Sequence, residues 1–150
     1  MTPHLPLSGR LLAIDLGEVR IGIAVSDPGQ VVASPAETLH VPRGEDAPAL
    51  DALVDVIARH EAAGVVIGNP RRLDGREGSA SNRARRFAQV LHERAGVPVT
   101  LWDERFTTVE AERVLIDGDM SRARRKTTID RVAASVLLQG VLEAQRSKGR

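Results

Sequence analysis

The run "LLAIDLG" at residues 11–17 sets an aspartate, Asp15, inside an otherwise apolar stretch. An ionised carboxylate withdrawn from water is costly unless a partner neutralises it. Two further acidic positions stand in comparable places: the neighbours Asp103 and Glu104, which close "VTLWDE", and Asp130, at the head of "TTIDRVAASVLLQG". Carboxylates brought together repel unless a cation joins them, and oxygen ligands completed by water suit Mg²⁺ or Mn²⁺. Two such ions about 4 Å apart are a known arrangement for phosphodiester hydrolysis, one activating water and the other stabilising the leaving oxygen. Each position alone has a plainer reading. A strand-end Asp accepts turn N–H groups, a helix-start Asp favours the dipole, and Arg20 or Arg105 could neutralise either. The expectation of a site rests on the three positions together.

Charge distribution points the same way. The formal net charge is only +1, yet "NPRRLDGREGSASNRARR" carries six arginines and "SRARRK" four more cations. Two basic segments in a near-neutral chain suit a local polyanion site, against the alternative of solvated faces. Arg71, Arg72, Arg76, Arg122, Arg124, Arg125 and Lys126 are the candidate phosphate contacts. The Arg83, Arg85 and Arg86 set is divided between that role and plain surface. Arg20 either binds a phosphate or orients Asp15. Thr107 or Thr108 caps a helix whose exposed N–H groups suit a phosphate, with Arg105 close by in sequence. One Trp, two Phe and no Tyr offer little for base stacking, so recognition should rest on backbone charge and shape. There is no cysteine, which excludes a disulfide framework and thiolate chemistry. The four histidines are scattered, and no phosphate-binding Walker loop is present. No segment resembles a signal peptide or reaches membrane-spanning length, so a cytoplasmic protein without a membrane partner is expected.

The elements that must position these residues follow from periodicity. "RLLAIDLG" (10–17) and "RIGIAVSD" (20–27) read as strands with a turn after Gly17; Gly17 and Gly22 suit the close approach of a phosphate backbone, or Gly17 supplies a positive φ for the turn. "QVVASPAETLH" is a weaker third strand that Pro35 pushes to an edge. A helix begins at Asp46 and ends at Gly64, followed by the buried strand "GVVIGNP". A second helix covers 79–95 and stops at Gly96. "VPVTLWDERF" is the fifth strand, "TVEAERVLIDG" a short helix, and "GDMSRARRK" a basic loop. Thr128 caps the last helix, which buries Ile129, Val132, Ala133, Val136, Leu137, Gly140 and Val141. The order βββαβαβαα predicts an α/β protein with a five-stranded mixed sheet: three antiparallel strands, then αβ crossovers, flanked by helices. Residues 10–146 form one domain between flexible ends at 1–9 and 147–150.

Four blocks, "DLGEVRIGIAVSD", "GNPRRLDGREGSASNRARRFA", "DERFTTVEA" and "TTIDRVAASVLLQGVLE", resemble the motifs of the YqgF family in order and over about residues 10–145. That family is described as RuvC-like, as Holliday junction resolvases or as pre-16S rRNA nucleases. The resemblance implies a ribonuclease H-like fold. It also implies a metal-dependent nuclease in which Asp15, Glu104 and Asp130 are the catalytic and metal-binding carboxylates. Strand alternation favours Glu104 over Asp103, because neighbouring side chains take opposite faces. Asn69 stands where the family usually has Leu, and the fourth strand offers no carboxylate, unlike RuvC itself. Structured RNA, with processing of the 5′ end of pre-16S rRNA, is the favoured substrate. The alternatives are a dimeric resolvase of four-way DNA junctions and a non-catalytic rRNA-binding assembly factor. Few aromatics and no spare apolar stripe predict a monomer or weak homodimer.

Overall fold

A computed structural model describes residues 4–69, 78–103 and 122–148, with the backbone alone at positions 69, 79, 80, 103, 122–130, 147 and 148. Its sheet is built from β1 (Leu11–Leu16), β2 (Arg20–Ser26), β3 (Ala33–His40), β4 (Gly64–Asn69) and β5 (Val99–Asp103), in the order β3-β2-β1-β4-β5. β1 and β2, and β2 and β3, pair antiparallel; β4 runs parallel to β1, and β5 parallel to β4. The described helices are α1 (Asp46–Arg59), α2 (Ser79–Ala95) and α3 (Arg122–Lys148). This is the expected mixed five-stranded sheet. The short helix expected around 108–118 lies outside the described residues.

Alternation along β1 divides the core in two. Leu12 and Ile14 pack with Leu53, Val56 and Ile57 of α1 and with Ala84, Phe87 and Leu91 of α2. Leu11 and Ala13 pack on the opposite face with Ala134, Leu137, Leu138 and Leu142 of α3. A sheet buried on both faces explains why β1 and β4 read as nearly continuous apolar runs. The direction of α3 is set by two glutamines. Gln139 accepts from the Ala33 N–H at 2.9 Å and donates to the Val31 carbonyl at 3.1 Å. Gln145 donates to the Pro6 carbonyl at 2.9 Å. Both partners lie at the end of the sheet where β1 begins, so α3 runs back along β1 and its N-terminal part reaches the end where β1 stops.

Pro35 does sit on an edge strand. The β2–β3 register shifts between Ile23 and Ala24, leaving Ala36 without a paired residue beside Pro35, which has no N–H to donate. The turn before β3 is held by Asp27, whose Oδ1 accepts from the N–H groups of Val31 and Val32, both at 2.8 Å.

Four local readings change. α1 stops at Arg59 rather than at Gly64: the chain leaves the helix through Glu61 at φ 51°, and Gly64 opens β4. A Cβ at Gly64 would stand 3.0 Å from Pro6 and 3.1 Å from Leu11, so close packing is its role. Gly17 has no positive φ; a Cβ there would collide with the Arg20 carbonyl oxygen, which accepts from the Gly17 N–H at 2.9 Å. The segment 122–126 is not a loop, because α3 starts at Arg122, six residues before Thr128. Arg, Ala and Lys are good helix formers, and no Gly or Pro intervenes. The helix runs on to Lys148. Finally, the buried stripe of α3 is Ala133, Ala134, Leu137, Leu138, Val141 and Leu142, while Val132, Val136 and Gly140 are half-buried at its margin.

Candidate active site at the carboxyl edge of the sheet

Because β1, β4 and β5 are mutually parallel, their carboxyl ends meet at one edge. Asp15 is the penultimate residue of β1 and Asp103 the last of β5. Asp15 follows Leu11 and Ala13 onto the α3 face of the sheet, and it is half-buried. Its partner across β2 is Gly22. On β4, Ile14 pairs with Ile67, which brings the next residue, Gly68, level with Asp15. The carboxylate is therefore flanked on both neighbouring strands by residues without side chains. The matching roles of Gly22 and Gly68 on either side of Asp15 are exposed only by strand register. Arg20 shares the Asp15 face by alternation on β2, and it and Asp15 both have interaction partners.

α3 crosses this same face. Asp130 lies nine residues before Gln139, about 13 Å of helix rise, and Leu11 to Asp15 spans about 13 Å of strand. Helical spacing puts position 130 on the line of Ala134 and Leu137, which are buried against the sheet. Topology thus carries Asp15, the end of β5 and position 130 to one side of one edge. The side chains of Asp103 and Asp130, and all of Glu104, lie outside the described residues, as do Arg71, Arg72, Arg76, Arg105 and Thr107. The backbone of Arg122, Arg124, Arg125 and Lys126 forms the first turns of α3, at the same end of the sheet. Among the described residues no three His, Cys, Asp or Glu side chains are grouped to hold a metal ion. The all-oxygen chemistry of Asp15, Glu104 and Asp130 fits a hard divalent cation.

Sequence reading missed a second feature beside this edge. Arg83 donates its Nε to Asp46 at 3.0 Å and its NH1 to the Gly17 carbonyl at 2.7 Å, and its guanidinium lies 5.0 Å from the centre of the Phe87 ring. Arg86 donates to the other Asp46 oxygen at 2.9 Å. One arginine of α2 thus braces both the β1–β2 turn and the start of α1. Arg131, next to Asp130, is half-buried, and its Nε is buried with no hydrogen-bond partner.

A mixed sheet of this order, layered between helices, places the chain in the ribonuclease H-like fold class. The Thermus thermophilus RuvC structure superposes with a TM-score of 0.59 at 16% identity, over 92% of this chain and 96% of that one. The same RuvC in complex with a Holliday junction substrate gives 0.60 at 17% identity, over 95% and 96%. Within that class, the chain belongs to the RuvX (YqgF) family, described as Holliday junction resolvase, whose sequence model matches residues 9–144. Among curated relatives, a candidate pre-16S rRNA nuclease of Paracoccus denitrificans is 42% identical over 146 residues, covering 97% of this chain and 91% of that protein. One of the same name from Myxococcus xanthus is 45% identical over 137 residues, covering 91% and 89%.

Proposed function

We propose that this chain is a metal-dependent nuclease that hydrolyses phosphodiester bonds in structured RNA, with pre-16S rRNA as the substrate. The observation that carries this reading is Asp15: half-buried, flanked by Gly22 and Gly68, at the edge where the parallel strands end and beneath the N-terminal part of α3. Its flanks leave room for an ion and a phosphate. Asp15, Glu104 and Asp130 would hold Mg²⁺ or Mn²⁺, which when bound supplies an activated water and neutralises charge on the leaving oxygen. Glu104 is preferred to Asp103 on the sequence argument that neighbouring strand positions take opposite faces. Asp15 sits on a central strand, so it is held rigidly where charge develops. Arg20 on the same face orients Asp15 or meets the phosphate. The relatives' names favour rRNA, while the family description favours a DNA junction.

Matched RNA, duplex DNA and four-way junction substrates, each with Mg²⁺, Mn²⁺ or EDTA, test the proposal. Cleavage of RNA should require a divalent ion and vanish with chelator. Asp15→Asn should lower the rate by more than about 10³-fold, beyond the loss expected for one transition-state donor, and circular dichroism should report an intact fold. Wild-type rates in EDTA, or in Asp15→Asn, would defeat the mechanism.

A further inference from the structure

A cleft of about 620 Å³ opens on the other side of the β1–β2 turn from Asp15, between that turn and the starts of α1 and α2. Its polar lining includes Arg43, Arg83, Arg86, Asn82 and Asp46. Asp46 binds both Arg83 and Arg86, and Glu18 pairs with Arg43. Three guanidiniums against two carboxylates leave an excess positive charge. The shared carboxylate also fixes two guanidiniums in advance, which lowers the ordering cost for an incoming anion. Arg86 spends one of its nitrogens on Asp46, and an arginine has five N–H donors in a planar fork suited to phosphate. Asn82 accepts from Arg85 through Oδ1, so its amide N–H₂ remains a donor at the same wall.

We propose that this cleft binds a backbone phosphate of the nucleic-acid strand, adjacent to the bond cut at the Asp15 edge. The proposal rests on the nuclease reading. Gly17, which lines the cleft, is two residues beyond Asp15, about 7 Å along the chain. A polynucleotide that crosses the β1–β2 turn passes from the carboxylate face into the cleft. Arg83 serves mainly as the wall's brace, since it holds the Gly17 carbonyl and Asp46. Arg86 and Arg43 are the substrate-facing cations, being largely exposed at 66% and 70%.

The test measures binding without cleavage: fluorescence anisotropy of a labelled structured RNA in EDTA, across a salt series, for wild type, Arg86→Gln, Arg43→Gln and Arg146→Gln. Arg86 and Arg43 are exposed, so both variants should fold, and Arg146 controls for loss of charge at the far end of α3. Each cleft variant should weaken binding several-fold and flatten the log–log salt slope by about 0.7–0.9, one released counterion. Arg146→Gln should leave both quantities unchanged. Wild-type affinity and slope in both cleft variants overturn the cleft and leave the nuclease reading standing. Failure of wild type to bind any nucleic acid overturns both. Calorimetry with AMP covers the other source of phosphate: binding of AMP that Arg86→Gln abolishes, with RNA affinity intact, would reassign the cleft to a free nucleotide and refute the proposal.

Discussion

Arg83 connects three parts of the chain that sequence keeps far apart. Its side chain is only 19% exposed, and its guanidinium satisfies a turn carbonyl, a helix-start carboxylate and an aromatic face at once. Truncation would leave the Gly17 carbonyl and one Asp46 oxygen without that donor, while Arg86 would still hold the other. Partial exposure softens the loss, so Arg83→Ala should cost about 1–3 kcal/mol, read as a lower urea midpoint with unchanged slope. Arg83→Lys keeps the charge but not the fork, and should recover less than half of it. A midpoint equal to wild type in Arg83→Ala would show the brace to be idle. At this scale the sequence is legible only in part. Asp15 announces itself as a charge in an apolar run, and "DLGEVR" puts Gly17 and Arg20 at informative spacing. Nothing in the pattern links Arg83 to Asp46 or Gly17, because a contact between residues 37 or 66 positions apart leaves no periodic trace. Gly68 likewise gains meaning only when register sets it beside Asp15.

Elements are legible where one face is dry. α2 was read with its observed bounds because Ala84, Phe87 and Leu91 recur at helical spacing and Gly96 ends the helix at φ 74°. The start of α3 is not legible in the sequence, because its first turns carry charge rather than an apolar stripe, and Thr128 offers a more familiar beginning. The backbone makes position 128 helix interior. Thr128→Ala should therefore leave stability level or raise it by a few tenths of a kcal/mol through helix propensity. A loss of about 1 kcal/mol in chemical denaturation would restore Thr128 as a cap. The β2–β3 turn makes a separate prediction. Hydrogen bonds from the Val32 and Val31 N–H groups hold the Asp27 carboxyl below its usual range. A folded pKa below the unfolded one means that the unfolded chain binds more protons in between, so stability rises with pH through that window. The contribution of Asp27 is complete above about pH 4 and is lost as pH falls through the depressed folded value. Urea midpoints of wild type and Asp27→Asn should thus differ at neutral pH and converge on acidification. A gap independent of pH would remove the carboxylate from the account.

For the whole molecule, the decisive question is whether its surface suits one active site or two. A resolvase cuts a four-way junction symmetrically, which calls for two copies joined by a self-complementary interface with both sites turned toward one junction. Among the described residues the large exposed apolar side chains are Leu7, Val31 and Val32, at 64%, 49% and 55%. All three lie at the end of the sheet where β1 begins. Gln30, next to Val31, ties that end together by donating to the Pro6 and Gly9 carbonyls, both at 3.0 Å. Asp15 lies at the opposite end. A dimer formed through that apolar patch would turn the two carboxylate edges away from each other and could not clasp one junction. The patch is also small beside the roughly 800 Å² per partner of a standard stable interface. We therefore expect a monomer or weak dimer by sedimentation at micromolar concentration, and in mixed-substrate competition faster cleavage of structured RNA than of four-way DNA junctions. The two measurements belong together, because a tight dimer that still preferred RNA would contradict only the surface argument. A tight dimer making paired symmetric nicks in the junction, with RNA left uncut, would overturn the RNA reading and assign this chain the chemistry of a resolvase.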